Sequence, residues 1–343
     1  VNLSSGSITG SGTLTGSAYN LTNTGTVSAK LGGSSALTKS GAGNATLSNT
    51  NAYSGGTTIN AGTLTLGHAT DTLADAGTVT IAGGTLALGA NSDTVGTVNL
   101  SSGSITAEGG TLTGSAYNFT NAGTVSAYLS GSAALTKSGA GTVTLSGSND
   151  YTGITTIYAG TLLAQNSGLS ANSHYTVESG AVLELDNQYE AVIGGLTGSG
   201  SVNLNANDLT IGPSATDSDF AGTLSGSGNL TVNSASVSLS GSLSLTGALS
   251  TTGNGASLAI ADGAFFTNNN TFYIGENSNL YIQRNNALSL GGEINLGENA
   301  TLNVSGTGMV TLSGGNASTA ASTIYHAGST LRVNDANSTS FQN

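Results

Sequence analysis

Short runs that pair apolar with hydroxyl-bearing residues recur along the whole chain. Val143–Leu145 and Thr155–Ile157, for example, each place an aliphatic side chain on one face and a hydroxyl on the other. This period of two is typical of a half-buried β-strand, with one face against a core and the other in solvent. No stretch of more than about ten residues shows the apolar stripe of a helix, so the pattern predicts an almost helix-free protein.

The alternating runs belong to a unit that recurs in tandem. The unit spans residues 37–64 and 135–162, and a blurred third copy spans 310–331. A larger block at 1–67 recurs at 98–164, and further short runs closed by glycines lie between the two blocks. Tandem supersecondary units are the signature of solenoids, in which each unit buries its apolar face against its neighbours.

We therefore predict an all-β fold, a right-handed, single-stranded parallel β-helix (β-solenoid) that forms one continuous domain over residues 1–343. The blocks at 1–67 and 98–164 and the divergent coils at 165–343 would make roughly fifteen coils of about 20–25 residues each. Ile, Val and Leu are expected to stack inward, whereas Thr, Ser and Asn are expected to face outward or to form ladders at the turns.

The second copy of the unit carries a spaced set of glycines, aliphatic residues and one tyrosine. These positions are Gly139, Gly141, Leu145, Tyr151, Gly153, Ile157, Gly160 and Leu162, and Lys137 and Asn149 belong to the same pattern. The glycines fall where the backbone is expected to turn, often at positive φ. The pattern resembles the passenger-associated transport repeat of bacterial autotransporters, and the first copy matches it with Ala45 in place of Val143.

The resemblance implies a secretion route and a location. It implies a passenger that is translocated through an outer-membrane β-barrel and is then displayed on the cell surface or secreted. The chain opens without a signal peptide and contains no apolar run of about 18 residues, so we expect it to be the interior of a longer precursor. The resemblance also implies that the repeats favour secretion of the passenger.

Charge and composition argue against some classes of binding partner. The 17 acidic and 5 basic residues give a net charge of −12, which argues against binding to nucleic acid, since that needs clustered Lys and Arg. The same charge disfavours direct binding to anionic lipid. The chain contains no cysteine, so no disulfide framework is expected, and nothing in the composition indicates a cofactor.

Enzymatic activity is the first alternative, because some polysaccharide-active enzymes are β-helices. The densest group of acidic residues contains Glu178, Glu184, Asp186 and Glu190. Glu184 and Asp186 are two residues apart and would share one face of a strand. With only five basic residues in the chain to complete a site, we interpret these side chains as solvated charges on the outside.

Metal and ice binding are two further alternatives, and neither is favoured. Asp71, Asp75, Asp217 and Asp219 supply hard oxygen ligands for calcium, but Asx turns explain them more simply. His68, His174 and His326 stand alone in the sequence, so we expect no metal site. Ice binding would need regularly spaced pairs of outward threonines. Five Thr-x-Thr pairs occur at irregular spacing: Thr13–Thr15, Thr63–Thr65, Thr78–Thr80, Thr111–Thr113 and Thr142–Thr144.

Adhesion is the function that the sequence favours. An amide-rich candidate interaction surface comprises Asn268, Asn269, Asn270, Asn277, Asn279, Asn285 and Asn286. Tyr273 and Tyr281 are candidates for stacking against sugars or for packing at the edge of the core. We predict a non-enzymatic adhesin or self-association factor in aggregation, biofilm formation or virulence. Its partner would be a glycan or protein receptor on a host or bacterial surface, or another copy of the chain. A polysaccharide-active enzyme and a structural stalk are the alternatives.

Overall fold

The computed structural model describes residues 1–188, 191–212, 218–262, 271–283, 288–290, 292–307, 309–312, 316–318, 323–327 and 330–333. Every regular element within these ranges is a β-strand, and none is a helix. The strands pair in parallel and stack as a β-solenoid of about 14 turns, which confirms the predicted fold class. No helix in this part of the chain is long and apolar enough to cross a membrane.

By its internal contacts the chain divides into two compact units, Val1–Ser173 and His174–Asn343. The single continuous domain expected over residues 1–343 stays a prediction. The first unit contains strands β1 Asn2–Leu3, β2 Ser7–Ile8, β3 Thr13–Thr15, β4 Tyr19–Leu21, β5 Gly25–Val27, β6 Lys30–Gly32, β7 Leu37–Lys39, β8 Asn44–Leu47, β9 Thr57–Ile59, β10 Thr63–Leu66, β11 Val79–Gly89, β12 Asp93–Thr94, β13 Thr97–Ala107, β14 Thr111–Thr113, β15 Ala116–Phe119, β16 Gly123–Val125, β17 Tyr128–Ser130, β18 Leu135–Lys137, β19 Thr142–Leu145, β20 Thr155–Ile157 and β21 Gly160–Asn166.

The strands of the first unit stack in three rows. The first row consists of β1, β4, β7, β9, β11, β13, β15, β18 and β20. The second row consists of β2, β5, β8, β10, β11, β13, β16, β19 and β21. The long strands β11 and β13 contribute to both rows, with register shifts between them. A third row contains the pair β3–β6 and the set β12–β14–β17.

Alternation along each strand builds the core. Leu145, Ile157 and Leu162 are fully buried as predicted, whereas Thr144 and Thr156 lie half-exposed on the opposite face. Parallel strands are about 4.8 Å apart, so each inward residue packs against its counterparts in the coils on either side. The result is a continuous aliphatic ladder.

Two different requirements, a positive φ and a lack of space for a side chain, explain the glycines of the repeat. Gly139 and Gly160 adopt positive φ of 74° and 68°, as predicted. Gly141, Gly147 and Gly153 do not. At Gly153 the requirement is space, because a Cβ atom there would collide with the main chain of Ala133 in the preceding coil.

The second unit follows the same plan with different strands. It contains β22 His174–Val177, β23 Ala181–Gln188, β24 Ala191–Ile193, β25 Gly195–Gly198, β26 Ser201–Asn203, β27 Leu209–Ile211, β28 Ser218–Phe220, β29 Thr223–Gly226, β30 Leu230–Asn233, β31 Ser236–Leu239, β32 Ser242–Leu245, β33 Leu249–Thr252, β34 Ser257–Ile260, β35 Phe272–Ile274, β36 Asn279–Gln283, β37 Leu288–Leu290, β38 Ile294–Leu296, β39 Thr301–Ser305, β40 Met309–Leu312, β41 Asn316–Ser318, β42 Thr323–Ala327 and β43 Thr330–Val333. One row joins β24, β27, β30, β33, β35, β38 and β41 in parallel.

Candidate functional site

Each repeat buries one lysine. Lys137 ends β18, where strand alternation places it on the same inward face as Leu135. Its Nζ donates to the carbonyl oxygens of Ser138 (3.0 Å), Gly139 (2.8 Å) and Ala159 (2.9 Å). Lys39 makes the same contacts in the first repeat, with the carbonyl oxygens of Ser40, Gly41 and Ala61. Burial lowers the pKa of both ammonium groups. Both lysines belong to the repeat pattern in the sequence, but the pattern alone indicated no structural role for them.

Two tyrosines pack together inside each repeat block. The rings of Tyr117 and Tyr151 lie 6.0 Å apart at 54°. The Tyr117 hydroxyl is 2.8 Å from the carbonyl oxygens of both Leu112 and Ser130, and burial raises the pKa of Tyr117 to about 12. The Tyr151 hydroxyl is 2.8 Å from Thr155 Oγ1, which explains why this threonine faces inward. The first block repeats the arrangement with Tyr19, Tyr53 and Thr57.

A buried asparagine joins three coils in each repeat. Asn149 Oδ1 accepts from the amide of Leu129 in the preceding coil (2.9 Å), and its Nδ2 donates to the carbonyl of Gly168 in the following coil (2.7 Å). We call this arrangement the amide clamp. In the first repeat Asn51 forms the same clamp, with the amide of Leu31 and the carbonyl of Thr72. Because these buried main-chain groups are bonded, the clamp fixes the path of the chain outside the regular strands.

The outward face of the first row forms an ordered polar surface. Each strand places a polar side chain away from the core, and parallel register aligns it with its counterpart in the next coil. We call this column the polar strip; it comprises Asn2, Asn20, Thr38, Thr58, Thr80, Asn99, Asn118, Thr136 and Thr156. Its asparagines bond along the strip, Asn20 to Asn2 at 2.7 Å and Asn118 to Asn99 at 3.1 Å. None of the nine side chains is charged.

Two large exposed side chains flank the last position of the polar strip. Ile154 and Tyr158 lie two residues on either side of Thr156, and they are 54% and 56% exposed. A solvent-exposed isoleucine and tyrosine beside a row of hydroxyl and amide groups can add apolar contact to a hydrogen-bonded partner. The strip could not be predicted from the sequence, because its members lie about 20 residues apart and are aligned only by the register between successive coils.

Comparisons with known proteins match the repeats directly. The profile of the passenger-associated-transport-repeat family matches residues 37–66 and 135–164. The chain is also 33% identical over 260 residues to the Adhesin BmaC autotransporter of Brucella suis biovar 1 (strain 1330). That match covers 71% of the chain and 7% of the relative. The chain is a segment of an autotransporter passenger. No solved structure matches it.

The passenger's location follows from this identification. Autotransporter passengers are anchored at the outer membrane or secreted, so the described coils face the outside of the cell. The passenger segment spans only a small fraction of the length of the curated relative that it matches.

The acidic residues of the passenger do not assemble into a metal site within the described ranges, where no three His, Cys, Asp or Glu side chains come close enough to hold an ion. Glu184 and Asp186 lie on the outward face of β23, and Asn205 Nδ2 donates to Glu184 Oε1 at 3.3 Å. Asp71 adopts a φ of 52° in a turn. Glu190 and Asp217 lie outside the described residues.

The predicted amide-rich surface is only partly described. Asn277 lies in a turn with a φ of 54° and takes part in a ladder of side-chain bonds with Asn254 (3.3 Å) and Asn299 (3.2 Å). Asn279 begins β36. The remaining members lie outside the described residues: Asn268, Asn269, Asn270, Asn285 and Asn286. The surface stays a prediction.

Tyr273 and Tyr281 are 50% and 40% exposed, so neither ring is core. Tyr273 lies beside Ser250 and Asn295 in one sheet, and Tyr281 lies beside Asn303 in another. Each ring is therefore a separate candidate for stacking against a sugar.

The five Thr-x-Thr pairs are divided among three rows. Thr13–Thr15 and Thr111–Thr113 belong to the third row, Thr63–Thr65 and Thr142–Thr144 to the second, and Thr80 to the first. They do not form one array of paired threonines.

Proposed function

We propose that the passenger is a non-enzymatic adhesin that binds through its polar strip. The observation that carries this proposal is the register of nine uncharged hydroxyl and amide side chains, one from each strand of the first row. The curated relative is named as an adhesin, which supports the same function. Translocation through an outer-membrane β-barrel is part of the proposal.

The chemistry of the polar strip defines the partner. Each hydroxyl or amide can donate and accept, so a partner with a matching row of polar groups gains many weak hydrogen bonds. The strip carries no charge, which favours a neutral surface over a polyanion or polycation. A neutral glycan, an uncharged protein surface or the strip of a second copy meets this condition. Many such contacts in series produce avidity from individually small contributions.

The test replaces outward threonines on two rows of the first unit. Thr58→Glu, Thr80→Glu and Thr136→Glu together place three carboxylates in the polar strip. The matched control carries Thr46→Glu, Thr65→Glu and Thr144→Glu, which lie half-exposed on the second row. Cells displaying each variant are compared for aggregation and for adherence to surfaces coated with glycans or proteins, with protease resistance as the folding control.

We expect only the strip variant to lose adherence or aggregation, with both variants equally protease-resistant. Equal loss in the two variants would show that net charge is responsible, and retention in both would favour a stalk that presents another domain. Turnover of polysaccharides that disappears in Glu184→Gln together with Asp186→Asn would favour the enzyme instead.

A further inference from the structure

The coil between the two repeats contains a buried carboxyl group with one unpaired oxygen. Asp93 opens β12 and is 3% exposed. Its Oδ2 accepts from the amide of Leu73 at 2.9 Å. Its Oδ1 is buried and has no hydrogen-bond partner among the described residues. A buried polar atom without a partner is costly, so this oxygen requires an explanation.

The position of Asp93 is that of the amide clamp. Asn51 and Asn149 each accept from a leucine amide in the preceding coil, as Asp93 does from Leu73. Each asparagine then donates from Nδ2 to a carbonyl in the following coil. An ionised carboxylate cannot donate, whereas a protonated carboxyl group can. Asp93 can therefore donate, as the two asparagines do, only when it holds a proton.

The surroundings of Asp93 favour the protonated form. Burial, followed by the like charges of Asp71 and Asp75 on the preceding loop, raises the pKa of Asp93 to about 7, although the amides of Leu73 and Thr94 oppose this. Tyr53 is close enough to interact with the charge of Asp93, and burial raises the pKa of Tyr53 well above its ordinary value. His68, on the same loop, hydrogen-bonds to the carbonyl oxygen of Thr70, and the following strand β14 carries no titratable side chain.

We propose that Asp93 is a proton-operated clamp, which closes the coil between the two repeats when protonated and loosens that coil when ionised. Burial raises the pKa of this carboxyl group from its ordinary value of 3.8 to about 7 in the folded coil. The stabilisation is therefore complete below about pH 4 and is lost as the pH rises through about 7. Above that range the loop and strands around Asp93 open more often, including the Thr72 carbonyl to which Asn51 donates, whereas the coils clamped by Asn149 are unaffected.

The experiment measures hydrogen exchange of the whole passenger segment between pH 5 and pH 8, corrected for the intrinsic pH dependence of exchange. We expect protection of the Leu73 amide to fall by at least about tenfold in the wild type, since one pKa unit corresponds to a tenfold change in an equilibrium. In Asp93→Asn, protection should stay constant. The amide of Leu129, which bonds to Asn149 away from this loop, provides the internal control in both proteins.

Two further variants keep the proposal testable if Asp93→Asn fails to fold. Asn51→Asp should transfer the same pH dependence to the Leu31 amide, and Asp75→Asn should lower the pH at which protection of Leu73 is lost. A carbon-13 titration of the Asp93 carboxyl group gives its midpoint directly. A midpoint near 4, or equal pH profiles in the wild type and Asp93→Asn, would overturn the proposal.

Discussion

The repeat at residues 37–66 and the repeat at residues 135–164 make the same polar contacts, although some of their buried aliphatic residues differ. In both, a buried lysine reaches three carbonyl oxygens at 2.8–3.1 Å. In both, an asparagine clamps three coils and a tyrosine ring packs about 6 Å from the ring of a tyrosine that precedes the repeat. These contacts are reproduced although the copies lie 98 residues apart by Lys39 and Lys137 (137 − 39 = 98).

The aliphatic filling is where the repeats differ. Val143 lies between Gly123 and Leu162, and in the first repeat the smaller Ala45 lies between the equivalent glycine and leucine. Both side chains are fully buried. The comparison indicates a division of roles: the polar contacts set the path of the backbone at the turns, and the aliphatic residues adjust how strongly each coil is held.

Removing the lysine contacts that the two repeats share should have the largest effect on stability. Lys39→Met and Lys137→Met each keep the aliphatic stem and leave three part-buried carbonyl oxygens without their donor. A fully buried unsatisfied group costs about 1–3 kcal/mol, so each of these oxygens should cost less. Removing a buried charge offsets part of this loss. We expect each variant to lose about 2–4 kcal/mol of local stability, measured by hydrogen exchange of the repeat that carries it.

The control for this comparison is Lys30→Met, at the half-buried start of β6. We expect a change within about 0.5 kcal/mol there, as for most substitutions on the surface. An effect of Lys137→Met much larger than that of Lys39→Met would break the equivalence of the two repeats. No effect from either would show that water replaces the ammonium group at no cost.

Changing the size of the residue at position 143 or at the equivalent position 45 should have a smaller effect on stability. The sign of this effect should be opposite in the two repeats. Val143→Ala removes two buried methyl groups and should cost about 1–2 kcal/mol, since each buried carbon contributes about 0.8 kcal/mol and a cavity remains. Ala45→Val fills the equivalent space and should gain up to about 1 kcal/mol. Local hydrogen exchange in each repeat provides the measurement. Destabilisation by Ala45→Val would show that the first repeat has closed around its smaller residue.

Much of the fold could be predicted from the sequence, because strand alternation assigns Leu145, Ile157 and Leu162 to the core without reference to other coils. Lys137 follows the same alternation from Leu135, and that was the signal for its burial. Lysine is usually found on the protein surface, however, so its burial here could not be predicted from residue type. The three carbonyl oxygens that bind it come together only in the folded chain.

The sites depend on contacts between coils, which sequence alone does not supply. The polar strip joins residues from nine strands, and a one-residue change of register would bury them instead. Similarly, Asp93 matches Asn51 and Asn149 only after coils of unequal length are superimposed. Acidic and amide residues that are close along the chain therefore predict neither feature.

Parallel register aligns one strip residue from each strand of the first row. A disulfide between Thr38→Cys and Thr58→Cys tests this directly, because the chain has no cysteine of its own. Adjacent parallel strands are about 4.8 Å apart, within the Cα separation of about 4.4–6.8 Å that a disulfide spans, and next-nearest strands are about 10 Å apart. We predict quantitative oxidation of the Thr38→Cys/Thr58→Cys pair and none of the Thr38→Cys/Thr80→Cys pair. Oxidation of the second pair in preference to the first would contradict the register.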